Sequence, residues 1–232
     1  MAARLYGVGV GPGDPELMTL KALRIIKESQ VLVFPNREKD KCVAYGIISQ
    51  LLDLTLEEKI MLFRSFPMTK DAQELEKAQS QVAEELQAYL DEGKQVAFLT
   101  IGDPSIYSTY QYVQERVNAR GYETETISGV PSFCAVAARL GIALGEKEEE
   151  LHILPGSYDV KASLGLSGTR IYMKSGKKLK ELKELLEEYS ETKPLEVWSV
   201  SNCGLETEAV THGIAELKPE SGYLTIVIVK DN

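Results

Sequence analysis

At 232 residues the chain has room for roughly 1.5 domains of about 150 residues, enough to bury a core without disulfides or metal. Lysine plus arginine number 26 against 35 aspartate plus glutamate, a net charge of −9 that argues against a nucleic-acid backbone as partner. Hydrophobic residues at 44% and charged residues at 26% exclude a disordered or fibrous chain.

The N-terminus, MAARLYGVGVGPGD, lacks a signal peptide's apolar stretch, and no window reaches transmembrane length, so a cytoplasmic protein with no membrane partner is expected. Residues 5–10 predict a strand running into the glycine loop GVGPGD. The segment TLKALRIIKES then predicts a helix with an apolar stripe of Leu20, Leu23 and Ile26. Residues 31–34 read as a buried strand closed by Pro35 and Asn36. A helix is expected over about 42–53, followed by an irregular basic and aromatic stretch at 64–70. Leu75, Ala78, Val82, Leu86 and Tyr89 mark an amphipathic helix that Gly93 ends.

Residues 95–101 predict a second buried strand, followed by GDPSIYS and a helix over about 105–119. A strand at 122–127, the loop SGVPS and a helix at 133–140 complete an alternating order. That order predicts a mostly parallel sheet with helices on both faces. The glycine, proline and acidic residues of 141–157 read as the hinge. Beyond it, strands at 169–173, 195–201, 207–211 and 222–230 around one helix at 177–188 predict an α+β domain with mixed or antiparallel pairing. Two domains are therefore expected, 1–145 and 150–232.

Three loops could carry chemistry. The first resembles a dinucleotide fingerprint but fails it, because Pro12 and Asp14 stand where glycine is required. Asp14 is placed to cap the coming turn, and an ordinary tight turn reads equally well here. In the second loop, Gly102 permits close backbone approach and Asp103 offers an acceptor for a hydroxyl or ammonium, while Pro104 fixes the helix start. Gly129, Val130, Pro131 and Ser132 repeat the design. Together the three form a plausible rim beyond the carboxyl ends of one sheet.

Cys42, Cys134 and Cys203 are widely spaced with no CxxC, and His152 and His212 are too few for a multi-histidine metal centre. No metal is expected. Cys134 and Cys203 read as small buried hydrophobes, and the histidines as structural or exposed. With no GxSxG or HExxH, the chemistry is expected to come from a cofactor that the protein positions.

YGVGVGPGDPELMTLKALRIIKESQVLVFP resembles the opening signature of the tetrapyrrole methylase family, and GDPSIYSTY, SGVPS and TRIYMK follow in that family's order. FPMTKD, LHILPGSY and SIYSTY are most similar to the branch that methylates C-20 of precorrin-2 or cobalt-factor II. Pro131 and Ser132 depart from the Thr-Ala frequent in sirohaem-pathway members, which favours that branch. The resemblance implies a two-domain α/β fold, a homodimer, a tetrapyrrole substrate, and S-adenosylmethionine held between the domains and left as S-adenosylhomocysteine. It implies cofactor contacts at Pro12, Gly102, Asp103, Ile106, Pro131 and Ser132. From the second domain it adds Tyr172, Met173, Asn202, Cys203, Gly204, Leu224 and Thr225. Arg37, Lys39, Lys41, Arg64 and Lys70 are the candidate cations for substrate carboxylates, a solvated surface being the alternative, and Tyr107 or water would take the proton lost on methylation. Another methyltransferase of the same fold, such as diphthine synthase, or a noncatalytic binder of cofactor or tetrapyrrole, are the competing readings.

Overall fold

A computed structural model describes residues 3–54, 58–67, 69, 71–155 and 159–231, leaving aside the side chain of Lys177. The chain divides into two compact units, Met1–Pro131 and Ser132–Asn232.

In the first unit β1 (Arg4–Gly9), α1 (Leu20–Glu28), β2 (Val31–Phe34), α2 (Val43–Ser49) and β3 (Ile60–Phe63) alternate in sequence. They are followed by α3 (Ala72–Asp91), β4 (Val96–Thr100), α4 (Tyr110–Ala119) and β5 (Glu123–Ile127). The five strands run parallel in the order β3-β2-β4-β1-β5. Parallel strands are apolar on both faces because helices cover both. Alternate residues sort accordingly. Leu32, Phe34, Ala97 and Leu99 pack with α1 and α2, while Val31, Val33, Val96 and Phe98 pack with α3 and α4.

One strand was not anticipated, and two expectations change. The run at 60–63 is a strand pairing with β2, although it lacks the turn residues that would have marked its ends. Leu20 is 87% exposed, and the buried face of α1 is Ala22, Ile25 and Ile26. A stripe of strict spacing three turns about 60° per step off a helical face, so the stripe of Leu20, Leu23 and Ile26 could not stay on the sheet. The helix expected from 105 starts at Tyr110, leaving residues 101–109 as a loop.

The second unit contains α5 (Ser132–Leu140), β6 (Leu151–Pro155), α6 (Val160–Ser163), β7 (Thr169–Met173) and α7 (Leu179–Ser190). It ends with β8 (Leu195–Ser201), β9 (Ala209–His212) and β10 (Thr225–Asp231). Its sheet has the order β6-β7-β10-β8-β9, with β6 and β7 parallel and the other pairs antiparallel. The residues read as a hinge at 151–155 are thus an edge strand of this sheet. Leu179, Leu182 and Leu186 of α7 pack on Val197, Val227 and Val229.

Arg170 lies wholly buried on β7. It donates to the Leu164 carbonyl at 3.1 Å and pairs with Asp231, which also takes Lys193 at 2.7 Å. Trp198 of β8 stacks on His212 of β9 with ring centroids 5.3 Å apart. Among the described residues no helix is long and apolar enough to cross a membrane.

Candidate active site

The connection from β1 leaves toward β2, and that from the adjacent β4 leaves toward β5 on the other side. Neighbouring strands whose crossovers depart in opposite directions open a crevice at their carboxyl ends, where ligands of open α/β sheets collect. The three loops anticipated from sequence follow β1, β4 and β5, so all three meet at this point.

Their backbones are knitted together. Val10 donates to the Thr100 carbonyl at 2.9 Å, and the Gly102 N–H to the Gly11 carbonyl at 2.8 Å. A Cβ on Gly129 would stand 2.2 Å from the Gly102 oxygen, and one on Gly9 2.5 Å from the same atom. Glycine is required at both positions by this close approach. Asp14 caps the following 3-10 turn, accepting from the Glu16 N–H at 2.8 Å as its position in the sequence predicts.

Asp103, only 8% exposed, sits at the centre. One carboxylate oxygen accepts from the Ser105 N–H at 2.7 Å and the Ser105 hydroxyl at 2.5 Å. The other accepts from the Gly129 N–H at 3.0 Å. Burial pushes this carboxyl up, but hydrogen bonds from Ser105, Gly129 and Ser128 outweigh it and hold the group below the usual carboxylate value. Sequence reading saw Asp103 as an acceptor facing a ligand, and missed these partners. The Ser105 contact was legible, since Asp accepting from the N–H two residues on is a common turn. The Gly129 contact, 26 residues away, carries no local signal.

The rest of the second loop is braced from within. Ile106, half-buried, donates its N–H to the Asp103 carbonyl at 3.2 Å, and the Gln111 amide reaches the Ser105 carbonyl at 3.1 Å. Tyr107 takes φ of 47° and is 44% exposed. A bulky residue in the left-handed region is a genuine outlier, and such strain concentrates at functional sites. Pro12 of the first loop is buried; Pro131 and Ser132 are half-buried at the start of α5.

The charge of these loops is one-sided. Residues 10–19, 101–109 and 127–132 include Asp14, Glu16 and Asp103 but no lysine or arginine. This donor set suits a cationic ligand and lacks the cations that a pyrophosphate would attract.

The candidate cations lie beyond β2 and β3. Arg37 and Lys39 are exposed, with the Lys39 ammonium 4.7 Å over the Tyr45 ring, and Lys41 pairs with Glu38 at 2.9 Å. Arg64 is committed to its own chain. It donates to Glu85 through Nε at 2.6 Å, reaches the same carboxylate through a second nitrogen, and gives a third to the Phe63 carbonyl at 2.9 Å. Lys70 lies outside the described residues.

In the second unit the candidate residues gather at one end of the sheet. Asn202, at φ 52°, donates its N–H to the Leu224 carbonyl at 2.9 Å, and Ser201 and Thr225 share a hydroxyl contact of 2.9 Å. Glu208 holds this turn, accepting from the Gly204 N–H at 2.9 Å and pairing with Arg139 of α5 at 2.6 Å. Cys203 is buried, whereas Cys134 is exposed on α5, contrary to its reading as a buried hydrophobe. It falls on the outward face, between the buried Phe133 and Ala135. Met173 is buried, and the Tyr172 phenol bonds the Ser163 hydroxyl at 2.8 Å, so that side chain serves the core. His152 bonds the Ser167 carbonyl at 3.0 Å.

Known proteins resemble this chain over nearly its whole length. A "Probable cobalt-precorrin-2 C(20)-methyltransferase" of Methanocaldococcus jannaschii is 36% identical across 99% of this chain and 97% of its own. A precorrin-2 C(20)-methyltransferase of Sinorhizobium sp is 30% identical across 79% of this chain and 78% of its own. The fold matches the structure of uroporphyrin-III C-methyltransferase from Thermus thermophilus complexed with S-adenosylhomocysteine. The TM-score is 0.72 at 20% identity, over 98% of this chain and 97% of that one. Residues 4–217 match the family described as Tetrapyrrole (Corrin/Porphyrin) Methylases, and the chain belongs to that family.

Proposed function

We propose that the protein transfers the methyl group of S-adenosylmethionine to the C-20 meso carbon of precorrin-2 or cobalt-factor II, in the cytoplasm, as a step of corrin-ring synthesis. Membership of the family and two C-20 methyltransferase relatives support the reaction class and the position. The observation that carries the cofactor assignment is the set of three knitted loops bearing carboxylates and no cationic side chain. When bound, the cofactor supplies a methyl group on a positively charged sulfur, already activated for displacement by an electron-rich carbon.

What the protein adds is placement. Pro12, Gly102, Asp103, Ile106, Pro131 and Ser132 are proposed to hold the cofactor, with Met173, Asn202, Cys203, Gly204, Leu224 and Thr225 contributing from the second unit. Tyr172 would act through its backbone, its phenol being taken by Ser163. In-line transfer needs alignment and exclusion of water more than a protein acid or base. Arg37 and Lys39 are the proposed partners of substrate carboxylates; Arg64, already bonded to Glu85, is tied to α3 instead. Tyr107 is proposed to pass the proton released at C-20 to solvent. A homodimer is the proposed assembly.

Anaerobic incubation with methyl-labelled cofactor and either substrate tests the reading. One added methyl located at C-20 by NMR is expected, and a Tyr107→Phe variant should turn over on the order of 100-fold more slowly. Methylation at another carbon, or binding with no turnover on either substrate, overturns it.

A further inference from the structure

We infer that Lys174, the residue after β7, is a further substrate-binding residue whose ammonium takes a carboxylate of the tetrapyrrole, and that Tyr223 positions it. This rests on the reading that the protein methylates a tetrapyrrole, and it adds a contact from the second unit. Lys174 adopts φ 57° and ψ 37°, in the left-handed region. That conformation is ordinarily left to glycine or asparagine, because a longer side chain crowds its own backbone. Two neighbours at the same end of the sheet follow the rule, Asn202 and Gly204. A lysine kept where glycine would sit without strain points to a use for its side chain.

The turn around Lys174 is built by its neighbours. β7 and β8 both end where the antiparallel β10 begins, so Lys174 shares one end of the sheet with Asn202 and Leu224. Ser175, wholly buried, donates its hydroxyl to the Tyr172 carbonyl at 3.1 Å, and its own carbonyl accepts from the Lys178 N–H at 2.7 Å. A Cβ on Gly176 would stand 2.8 Å from the Gly222 oxygen, which accepts from the Thr225 hydroxyl at 2.7 Å. The turn therefore keeps its shape without help from the Lys174 side chain. That side chain is half-buried and carries its ammonium to 5.7 Å from the centre of the Tyr223 ring. An aromatic face steadies an ammonium without cancelling its charge, as Tyr45 does for Lys39.

Charge selects the ligand. A tetrapyrrole substrate carries several peripheral carboxylates and no counter-ion of its own, more than Arg37 and Lys39 can answer. The carboxylate of S-adenosylmethionine already has an ammonium on the adjoining carbon and a positive sulfur nearby, and both would repel a further cation.

Anaerobic titration of the visible absorbance of precorrin-2 and of cobalt-factor II, with S-adenosylhomocysteine present, reads substrate affinity without turnover. Lys174→Gly and Lys174→Asn, both at ease in a left-handed turn, should melt within about 3 °C of the wild type and bind the tetrapyrrole about 10- to 100-fold more weakly. Lys174→Arg, which keeps the charge, should stay within about 3-fold of the wild type. Tyr223→Leu should weaken tetrapyrrole binding about 3-fold, and Tyr223→Phe, which keeps the ring, should leave it unchanged. Calorimetric affinity for S-adenosylhomocysteine should stay within about 2-fold throughout. Unchanged tetrapyrrole affinity in Lys174→Gly, or an equal loss in Lys174→Gly and Lys174→Arg, overturns the inference. So does a loss of S-adenosylhomocysteine affinity matching that for the tetrapyrrole, which would give the ammonium to the cofactor. If the wild type binds a tetrapyrrole without methylating it, the functional reading fails, and the affinities of wild type and Lys174→Gly still decide the contact.

Discussion

Asp103 in the first unit and Asp231 in the second are both carboxylates held below their usual value, and they are held by opposite means. At each, burial pushes the group up and hydrogen bonds overcome it. Around Asp231 the donors are charged, Lys193 and the buried Arg170, so its negative charge is more than neutralised and the pairing serves as a mechanical tie to β7. Around Asp103 the donors are neutral, so geometry is fixed while the negative charge survives. A site for a cationic cofactor needs both a rigid frame and an uncancelled negative charge. Neutral donors supply both, and an ion pair would supply only the first.

The sharpest way to break the contrast is to remove the tie. Asp231→Ala leaves the Arg170 guanidinium buried and uncompensated, and urea unfolding should show a loss of about 3–5 kcal/mol. A loss under 1 kcal/mol would mean that water reaches Arg170. Gly129→Ala tests the other side. Its Cβ would meet the Gly102 oxygen at 2.2 Å, so overpacking should cost about 1–3 kcal/mol and remove S-adenosylhomocysteine binding, whereas Asp231→Ala should leave that binding in place. A smaller effect separates the two by salt but not by pH. Both folded carboxyls lie below their unfolded values, so each contributes fully above the ordinary carboxylate range. Both contributions are lost as the pH falls through the depressed values. Raising sodium chloride to 1 M at neutral pH should weaken the Lys193–Asp231 contact, since the Lys193 side chain is 41% exposed, while Gly129 amide protection stays constant. Equal salt sensitivity in both units would erase the distinction.

Much of this architecture was legible because its signals are local. Continuous apolar runs in β2 and β4 report helices on both faces before any helix is placed. Glycine, proline and aspartate at strand ends identify the three loops. What escaped reading depends on distant partners. Arg170 stands inside an apolar strand because Asp231, 61 residues on, answers it. Arg64 looked available for a substrate until α3 brought Glu85 to it. β3 was missed because no turn residues mark the ends of its four apolar residues, as Pro35 and Asn36 do for β2. Asp103 stands out by its loop, yet its bond to the Gly129 N–H, 26 residues away, follows from no spacing rule.

The stacking of Trp198 on His212 has a practical consequence. This is the only tryptophan in the chain, and it lies in the second unit. Tryptophan emission, excited selectively, therefore watches one half of the molecule, while the half with the glycine loops holds only tyrosine as a fluorophore. Set beside circular dichroism, which sees both, it turns a single denaturation experiment into two, and tells whether the units come apart together or in turn.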